Sequence, residues 1–173
     1  MAKIIYKKGC EGQNKLSCIK GIEIDLLNGQ KALIYPKYAE RPMLTSEQIS
    51  KWDAAYETQI EALKKTSTAF ETECLREIGS PAAEWVSQFK SGRYSNFALP
   101  SLLAALELQH QKAEIDALAE TIEGADLLKD FTSFVWSCSR YLSNYGWCAI
   151  GNGGITYDYI LFNAYLAVPL VLY

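Results

Sequence analysis

The chain has 173 residues, of which 49% are hydrophobic, 21% charged and 12% aromatic, and its formal net charge is −3 at pH 7. This length and composition predict a single domain over residues 1–173, with enough apolar side chains for a core. The slightly acidic balance argues against a basic surface for nucleic acid or anionic membranes, so we expect neither partner.

The cysteine pattern argues against zinc and disulfide frameworks. Five cysteines are present, an odd number at wide spacings without a C-x-x-C motif, and stand at positions 10, 18, 74, 138 and 148. We therefore expect reduced thiols, no metal site and no cofactor. The first ten residues lack the apolar stretch of a secretory signal, and no apolar run reaches the ~18 residues of a membrane span. We expect synthesis in a cytoplasm and no membrane insertion.

The first half of the chain predicts a hairpin followed by helix. Residues 21–26 alternate apolar and polar side chains, Asn28-Gly29 is a hairpin turn pair, and residues 32–35 read as the return strand. A helical pattern then covers residues 45–79, beginning with a Thr45–Gln48 capping box and ending at Gly79. Its first apolar stripe closes at Lys64-Lys65, and a second begins at Ala69 after a bend.

A second helix is predicted over residues 100–123, and it contains His110, the one histidine of the chain. The remaining tail favours short strands joined by turns, because Tyr, Asn, Gly, Ser and β-branched residues dominate it. Together these patterns predict an α+β fold. Residues 1–40 and 131–173 should meet in one mixed sheet system, flanked by two main helices.

The tail has an unusual composition. After Phe131 there is no Lys, Glu, Gln, Met or His, and the charged residues are Arg140 and Asp158. Residues 157–162 (YDYILF) do not sort into one apolar and one polar face, as a strand packed on a core would. Strand-rich segments are often poor in Lys, Glu and Gln, but the lack of alternation favours a surface selected for an outside ligand.

Several segments resemble motifs of bacterial C-type-lectin-like domains, in the same order. Residues 97–103 (FALPSLL) resemble the W-x-L-P-S opening, residues 134–141 (FVWSCSRY) the Y-x-W-S-S strand, and Gly146-Trp147 the A-W pair. Residues 151–154 (GNGG) resemble the N-G-N turn, and Val168-Pro169 the terminal V-R-P-V strand. The resemblance implies a C-type-lectin-like fold with mixed and antiparallel sheets.

Within that superfamily the chain looks most like the variable proteins of diversity-generating retroelements of phages and bacteria. There, a reverse transcriptase copies a template repeat with randomised adenines into the 3′ end of the gene. The chain departs from the family pattern at Phe97, where Trp is usual, at Ala104, where an acidic residue is usual, and at Val168, where Arg is frequent.

The tail composition agrees with this resemblance. A randomised Asn codon ends in a pyrimidine, so it cannot encode Lys, Glu, Gln, Met or Trp. The first four are absent from the tail, and Trp occurs only at Trp136 and Trp147, which match framework positions. The resemblance implies a hypervariable ligand-binding region at about 138–166.

The predicted contact residues lie among tyrosines and small polar residues, the mixture that antibody paratopes use. They are Arg140, Leu142, Asn144, Tyr145, Cys148, Ile150, Tyr157, Tyr159, Leu161 and Asn163. The expected partner is a protein or glycan receptor on a cell surface, bound by a virion tail protein or by a protein displayed through another chain. A homo-oligomer is compatible with this role.

Two other functions compete with this hypothesis. One is a carbohydrate-binding lectin or adhesin module of fixed specificity, although the calcium-binding triplets of animal C-type lectins are absent. The other is an enzyme, since formylglycine-generating oxidases share a similar fold. Cys138 and Cys148 are too far apart for the cysteine pair of those enzymes, and no nucleophile or phosphate-binding motif occurs. We therefore expect a binding protein without catalytic residues.

Overall fold

The two ends of the chain meet in the same layers of the structure. The computed structural model describes residues 1–94, 96–132, 134–151, 154–159 and 163–173, with backbone alone at 156, 158 and 159. Its strands are β1 (Lys3–Tyr6), β2 (Ile19–Asp25), β3 (Lys31–Ile34), β4 (Ala39–Arg41), β5 (Phe134–Arg140), β6 (Tyr145–Ile150), β7 (Ile155–Tyr159), β8 (Tyr165–Ala167) and β9 (Leu170–Leu172). The helices are α1 (Ser46–Ile49), α2 (Gln59–Lys64), α3 (Ala69–Glu77), α4 (Pro81–Ser87), α5 (Leu102–His110) and α6 (Lys112–Ala119).

The predicted N-terminal hairpin is confirmed. Strands β2 and β3 pair antiparallel, with Ile22 opposite Ile34. The turn closes through a hydrogen bond from Gly29 N to Leu26 O of 3.0 Å, and Gly29 has a φ of 84°. A residue with a side chain is strained at that angle, which explains the glycine there.

The described residues form two sheets where the sequence predicted one sheet system. The first has the strand order β1-β2-β3-β9 and the second the order β4-β8-β5-β6-β7. The chain passes between the sheets at Pro36, after β3, and at Pro169, before β9, and the two crossings are joined by a 3.0 Å hydrogen bond from Tyr35 N to Pro169 O. Proline has no N–H to donate to a strand ladder, so each proline ends the pairing on its own side.

The helical pattern predicted for residues 45–79 is interrupted twice. One break, at residues 65–68, lies between the two predicted apolar stripes, and the other lies within the first stripe, where the prediction is wrong. The segment holds the short helices α1, α2 and α3, and residues 52–57 between the first two are irregular. A second capping box starts α2, because Thr58 N donates to Glu61 Oε2 at 2.7 Å and Glu61 N donates to Thr58 Oγ1 at 3.2 Å. This T-x-x-E pattern is readable in the sequence and marks the break.

The second helix was predicted over residues 100–123 at the side of the sheets, and α5 does lie against the second sheet. The predicted helix is interrupted at Gln111, after which α6 begins. Its N-terminus is capped by Ser101, whose Oγ accepts from Ala104 N at 3.1 Å. Leu108 of α5 packs with residues of both sheets in one hydrophobic core, which includes Ile22 and Val135.

A second hydrophobic core covers the other face of the β5–β6 pair. Trp136, Cys138 and Cys148 project into it from the sheet, and the opposing residues are Met43, Leu44, Trp52, Leu75, Ala82, Ala83 and Val86. Strand β5 is therefore buried on both faces, and the serines that alternate with Trp136 and Cys138, Ser137 and Ser139, are buried as well. Among the described residues, no helix is long and apolar enough to cross a membrane.

Trp136 is the largest fully buried side chain of the second core. Its indole N–H donates to Arg41 O at 2.8 Å, and its ring lies 4.9 Å from that of Tyr165. We expect Trp136→Ala to lower the free energy of unfolding by about 3–5 kcal/mol, because it leaves a cavity and an unpaired carbonyl. The measurement is urea unfolding beside Phe70→Ala, whose ring is exposed and whose loss should cost less than about 0.5 kcal/mol. Equal effects of the two variants would contradict this role.

Candidate ligand-binding surface

Four aromatic side chains meet at the end of strands β5, β6 and β7, and they form what we call the aromatic cluster: Tyr141, Tyr145, Trp147 and Tyr157. The rings of Tyr141 and Tyr157 are stacked, with centroids 4.1 Å apart and planes 24° apart. Trp147 meets Tyr141 edge to face at 4.7 Å and Tyr157 at 5.9 Å. Tyr145 lies 5.6 Å from Tyr157 in the same manner. Each such aromatic pair stabilises the fold beyond the burial of apolar area alone, and it fixes the orientation of both rings.

Strand register brings the cluster together. Trp147 of β6 is opposite Tyr157 of β7, and Tyr145 is opposite Tyr159. Positions 145 and 147 lie on one face of β6 because side chains two residues apart point the same way, whereas Cys148 points to the other face and into the second core. The cluster therefore belongs to the face that carries Trp147.

Exposure increases across the cluster from the indole to the phenols. Trp147 is buried against Ala62 and Leu102, and Tyr141 and Tyr145 are partly buried. Tyr157 is 48% exposed, and Leu142, in the adjoining turn, is 46% exposed. A rigid aromatic base thus presents a phenol and an aliphatic side chain to solvent, and the described side chains of the cluster carry no formal charge.

Arg140, at the end of β5, supports this surface from beneath. It is only 8% exposed, and its guanidinium lies 4.5 Å from the Trp52 ring and 5.0 Å from the Tyr56 ring. Nη1 donates to Trp52 O at 2.5 Å, and Nη2 donates to Ser143 O at 2.8 Å. A buried guanidinium needs several acceptors, and here backbone carbonyls supply them.

The turn between β5 and β6 is strained at the residue that Arg140 binds. Ser143 has a φ of 29°, which residues other than glycine rarely adopt and which costs about 1–3 kcal/mol. Tyr145 N donates to Leu142 O at 2.6 Å and closes the turn. The two hydrogen bonds from Arg140 to Ser143 O offset this strain, and they hold Leu142 and Tyr145 in place.

The irregular segment 52–57 packs beside the cluster through backbone groups. Glu57 N donates to Arg140 O at 2.8 Å, and the Trp147 indole N–H donates to Glu57 O at 2.8 Å. The Glu57 carboxylate pairs with the poorly exposed Lys65 at 2.9 Å, and Lys65 also pairs with Glu71 at 3.0 Å. These bonds use carbonyls and amides that a continuous helix would have kept, which explains the break in the predicted helix.

Tyr56 is a surface residue that the sequence pattern placed wrongly. Trp52 and Tyr56 are four residues apart in the predicted helix and would share one face of it, yet Trp52 is buried and Tyr56 is 56% exposed beside Arg140. Tyr56 therefore belongs to the solvent-facing rim of the candidate surface. The capping box at Thr58 was the available signal that the helical periodicity stops before it.

The structure distributes the ten predicted contact residues unevenly. Leu142 and Tyr157 are exposed, whereas Asn144, Tyr145, Ile150 and Asn163 are partly buried. Two of the predictions are corrected by burial. Cys148 is fully buried in the second core, and Arg140 is held by the carbonyls beneath the surface, so neither side chain reaches a partner in this conformation. The Tyr159 side chain and Leu161 lie outside the described residues.

Cys138 and Cys148 are buried in the second core, and His110 lies on α5. Burial raises the pKa of the Cys138 thiol to about 12, so the thiol is protonated at neutral pH and is a poor nucleophile. His110 lies 3.7 Å from the Glu107 carboxylate on the surface of α5. Within the described ranges no group of three His, Cys, Asp or Glu residues could hold a metal ion. None of the five cysteines, all of which are among the described residues, forms a disulfide.

Comparison of the chain with known protein families, curated proteins and solved structures found no match.

The support given by Arg140 is open to a direct test. We expect Arg140→Lys to lower the free energy of unfolding by about 1–3 kcal/mol, because an ammonium cannot reach the carbonyls of both Trp52 and Ser143. Amide hydrogen exchange should accelerate in residues 52–57 and 141–145. The matched control is Arg93→Lys, an exposed arginine 5.3 Å from the Tyr94 ring, which should leave stability within about 0.5 kcal/mol. Unchanged amide hydrogen exchange in Arg140→Lys would show that Arg140 does not hold these two segments in place.

Proposed function

We propose that this chain is a receptor-binding module that uses the aromatic cluster and the adjoining turn as its contact surface. The observation that carries the proposal is the exposed Tyr157, stacked on Tyr141 above the buried Trp147. Tyrosine offers a large, rigid contact area with a polar tip, and it loses little conformational entropy on binding. Strand pairing, Arg140 and the 52–57 segment prepare this surface in advance, which lowers the cost of association.

The proposed fold is a C-type-lectin-like fold, and the proposed family is the variable proteins of diversity-generating retroelements. The α+β architecture, with the chain ends paired in its sheets, is compatible with that fold. Support also comes from the contrast between buried and exposed residues within the tail. Trp136 and Trp147, which randomised Asn codons cannot encode, are buried, whereas Leu142 and Tyr157, which such codons can encode, are exposed.

A binding role is favoured over catalysis by the state of the reactive side chains. Cys138 is buried and protonated, Cys148 is buried, and His110 lies half exposed on α5 beside Glu107. The proposed partner is a protein or glycan receptor on a cell surface. The chain would meet it on a virion tail or on a cell surface to which another protein attaches it.

The contact surface predicts a separation of binding from stability. We expect the double variant Leu142→Ala/Tyr157→Ala to melt near the parent, because both side chains are about half exposed, and to lose tenfold or more in affinity. The labelled protein is tested on a glycan array and on panels of intact bacterial cells.

The control for that experiment is Phe70→Ala, which removes an exposed aromatic ring from α3 and should leave binding unchanged. Equal binding by the double variant and the control would exclude the aromatic cluster as the contact surface. A double variant that no longer folds would show that these residues belong to the core.

Diversification is tested in the DNA and not in the protein. We expect a near-copy of the 3′ end of the gene close downstream, differing from it at adenines and accompanied by a reverse transcriptase gene. The differences should fall in codons of exposed positions such as 142 and 157 and spare those of Trp136 and Trp147. If no such copy exists while the surface still binds its receptor, the protein is an adhesin module of fixed specificity.

A further inference from the structure

The connection between β1 and β2 brings two cysteines together. Lys7 N donates to Cys18 O at 2.9 Å, so these residues are neighbours across the first sheet. Cys10 N donates to Lys7 O at 3.1 Å, which closes a turn and returns Cys10 toward the same residue. Cys10 and Cys18 are therefore both bonded to the backbone of Lys7, although seven residues separate them in the sequence.

The neighbouring Cys18 side chain also affects the Cys10 thiol, because it is the largest cause that raises the pKa of Cys10. The Cys18 thiol in turn donates to Gln13 Oε1 at 3.6 Å. Both cysteines are partly exposed, unlike Cys138 and Cys148, which are buried in the second core.

The loop that carries the pair is anchored at its far side. Leu16 N donates to Glu123 O at 2.9 Å, and Glu123 N donates to Asn14 O at 2.9 Å. The segment 14–16 is thus fixed to the turn that follows α6, and this anchoring limits the motion that could separate the thiols. A disulfide requires Cα atoms about 4.4–6.8 Å apart, which neighbours across a turn can satisfy with little backbone movement.

We propose that Cys10 and Cys18 are a redox-active pair that forms an intramolecular disulfide by exchange with a small-molecule disulfide such as oxidised glutathione. Both cysteines lie near the N-terminus, whereas the aromatic cluster is formed by residues 141–157. The proposal does not rest on the proposed function.

The exchange proceeds in two balanced steps. One cysteine loses its proton, and its thiolate attacks a sulfur of the small disulfide, which gives a mixed disulfide and releases one small thiolate. The second cysteine then loses its proton and attacks the protein sulfur of the mixed disulfide, which forms the Cys10–Cys18 bond and releases the second small thiolate. The two released thiolates take up the two protons. The protein loses two electrons, and the small disulfide gains them.

The raised pKa of Cys10 affects the rate of this exchange. A protonated thiol does not attack a disulfide, so the reaction should be slow at neutral pH and faster in mildly alkaline buffer. Once formed, the bond closes a short loop at the edge of the first sheet. The reduced chain remains folded, because the strands and the Glu123 contacts do not depend on the bond.

The test is peptide mapping of the full chain after incubation with reduced and oxidised glutathione. Trypsin cuts after Lys8, Lys15 and Lys20, so Cys10 lies in peptide 9–15 and Cys18 in peptide 16–20. We expect the two peptides to be joined in the oxidised wild type, with the loss of two hydrogen atoms from the intact mass, and to be separate after reduction.

Matched variants identify the pair. Cys74→Ser removes another partly exposed thiol, and it should leave the 9–15/16–20 cross-link intact. Cys10→Ser and Cys18→Ser should each abolish the cross-link and trap glutathione on the remaining cysteine. Oxidised wild type that carries glutathione on Cys10 and Cys18 without the cross-link would overturn the proposal, as would a cross-link from either cysteine to Cys74. Because the wild-type map decides the outcome alone, poor folding of a variant would not obscure it.

Discussion

The burial of the Arg140 guanidinium is the constraint on which the candidate surface depends. A cation removed from water must be surrounded by acceptors, and Trp52 and Ser143 supply carbonyl oxygens for it. The Trp52 carbonyl is available because no helical turn follows it: α1 ends before residue 52, and the chain continues irregularly to α2. The same guanidinium holds the strained Ser143 in the β5–β6 turn. One side chain thereby sets the conformations of two segments that flank the aromatic cluster.

The sheets hold the strand that carries Arg140 in a fixed position. Strand β5 is buried on both faces, with Val135 in the core between the sheets and Trp136 in the second core. The chain ends contribute to both sheets, since β9 pairs with β3 and β8 pairs with β4. Pairing between distant parts of the sequence means that the C-terminal segment cannot detach without opening the N-terminal sheet. The proposed contact surface thereby rests on side chains whose positions are fixed by the sheets beneath it.

Much of the fold was predictable where the signal is local. The hairpin at Asn28-Gly29, the helix start at Ser101, the helix end at Gly79 and the strands of the tail depend on turn residues, caps and composition, and the structure contains them. The unbroken helix predicted over residues 45–65 is wrong for the opposite reason. Its apolar spacing was helical, but the acceptors required by Arg140 and Trp147, about ninety residues later, outweighed that local preference.

The sequence by itself determined the α+β class, the order of most elements and the tyrosine-rich composition of the tail. Only the tertiary structure decided which tail residues face solvent. Arg140 and Cys148 look like contact residues in a linear pattern, yet one is held beneath the surface and the other lies in a core. It also joined Tyr56, far away in the sequence, to the rim of the cluster. The physical reason is that strand and turn propensities act over a few residues, whereas burial and the partners of a buried charge depend on chain segments that only folding brings together.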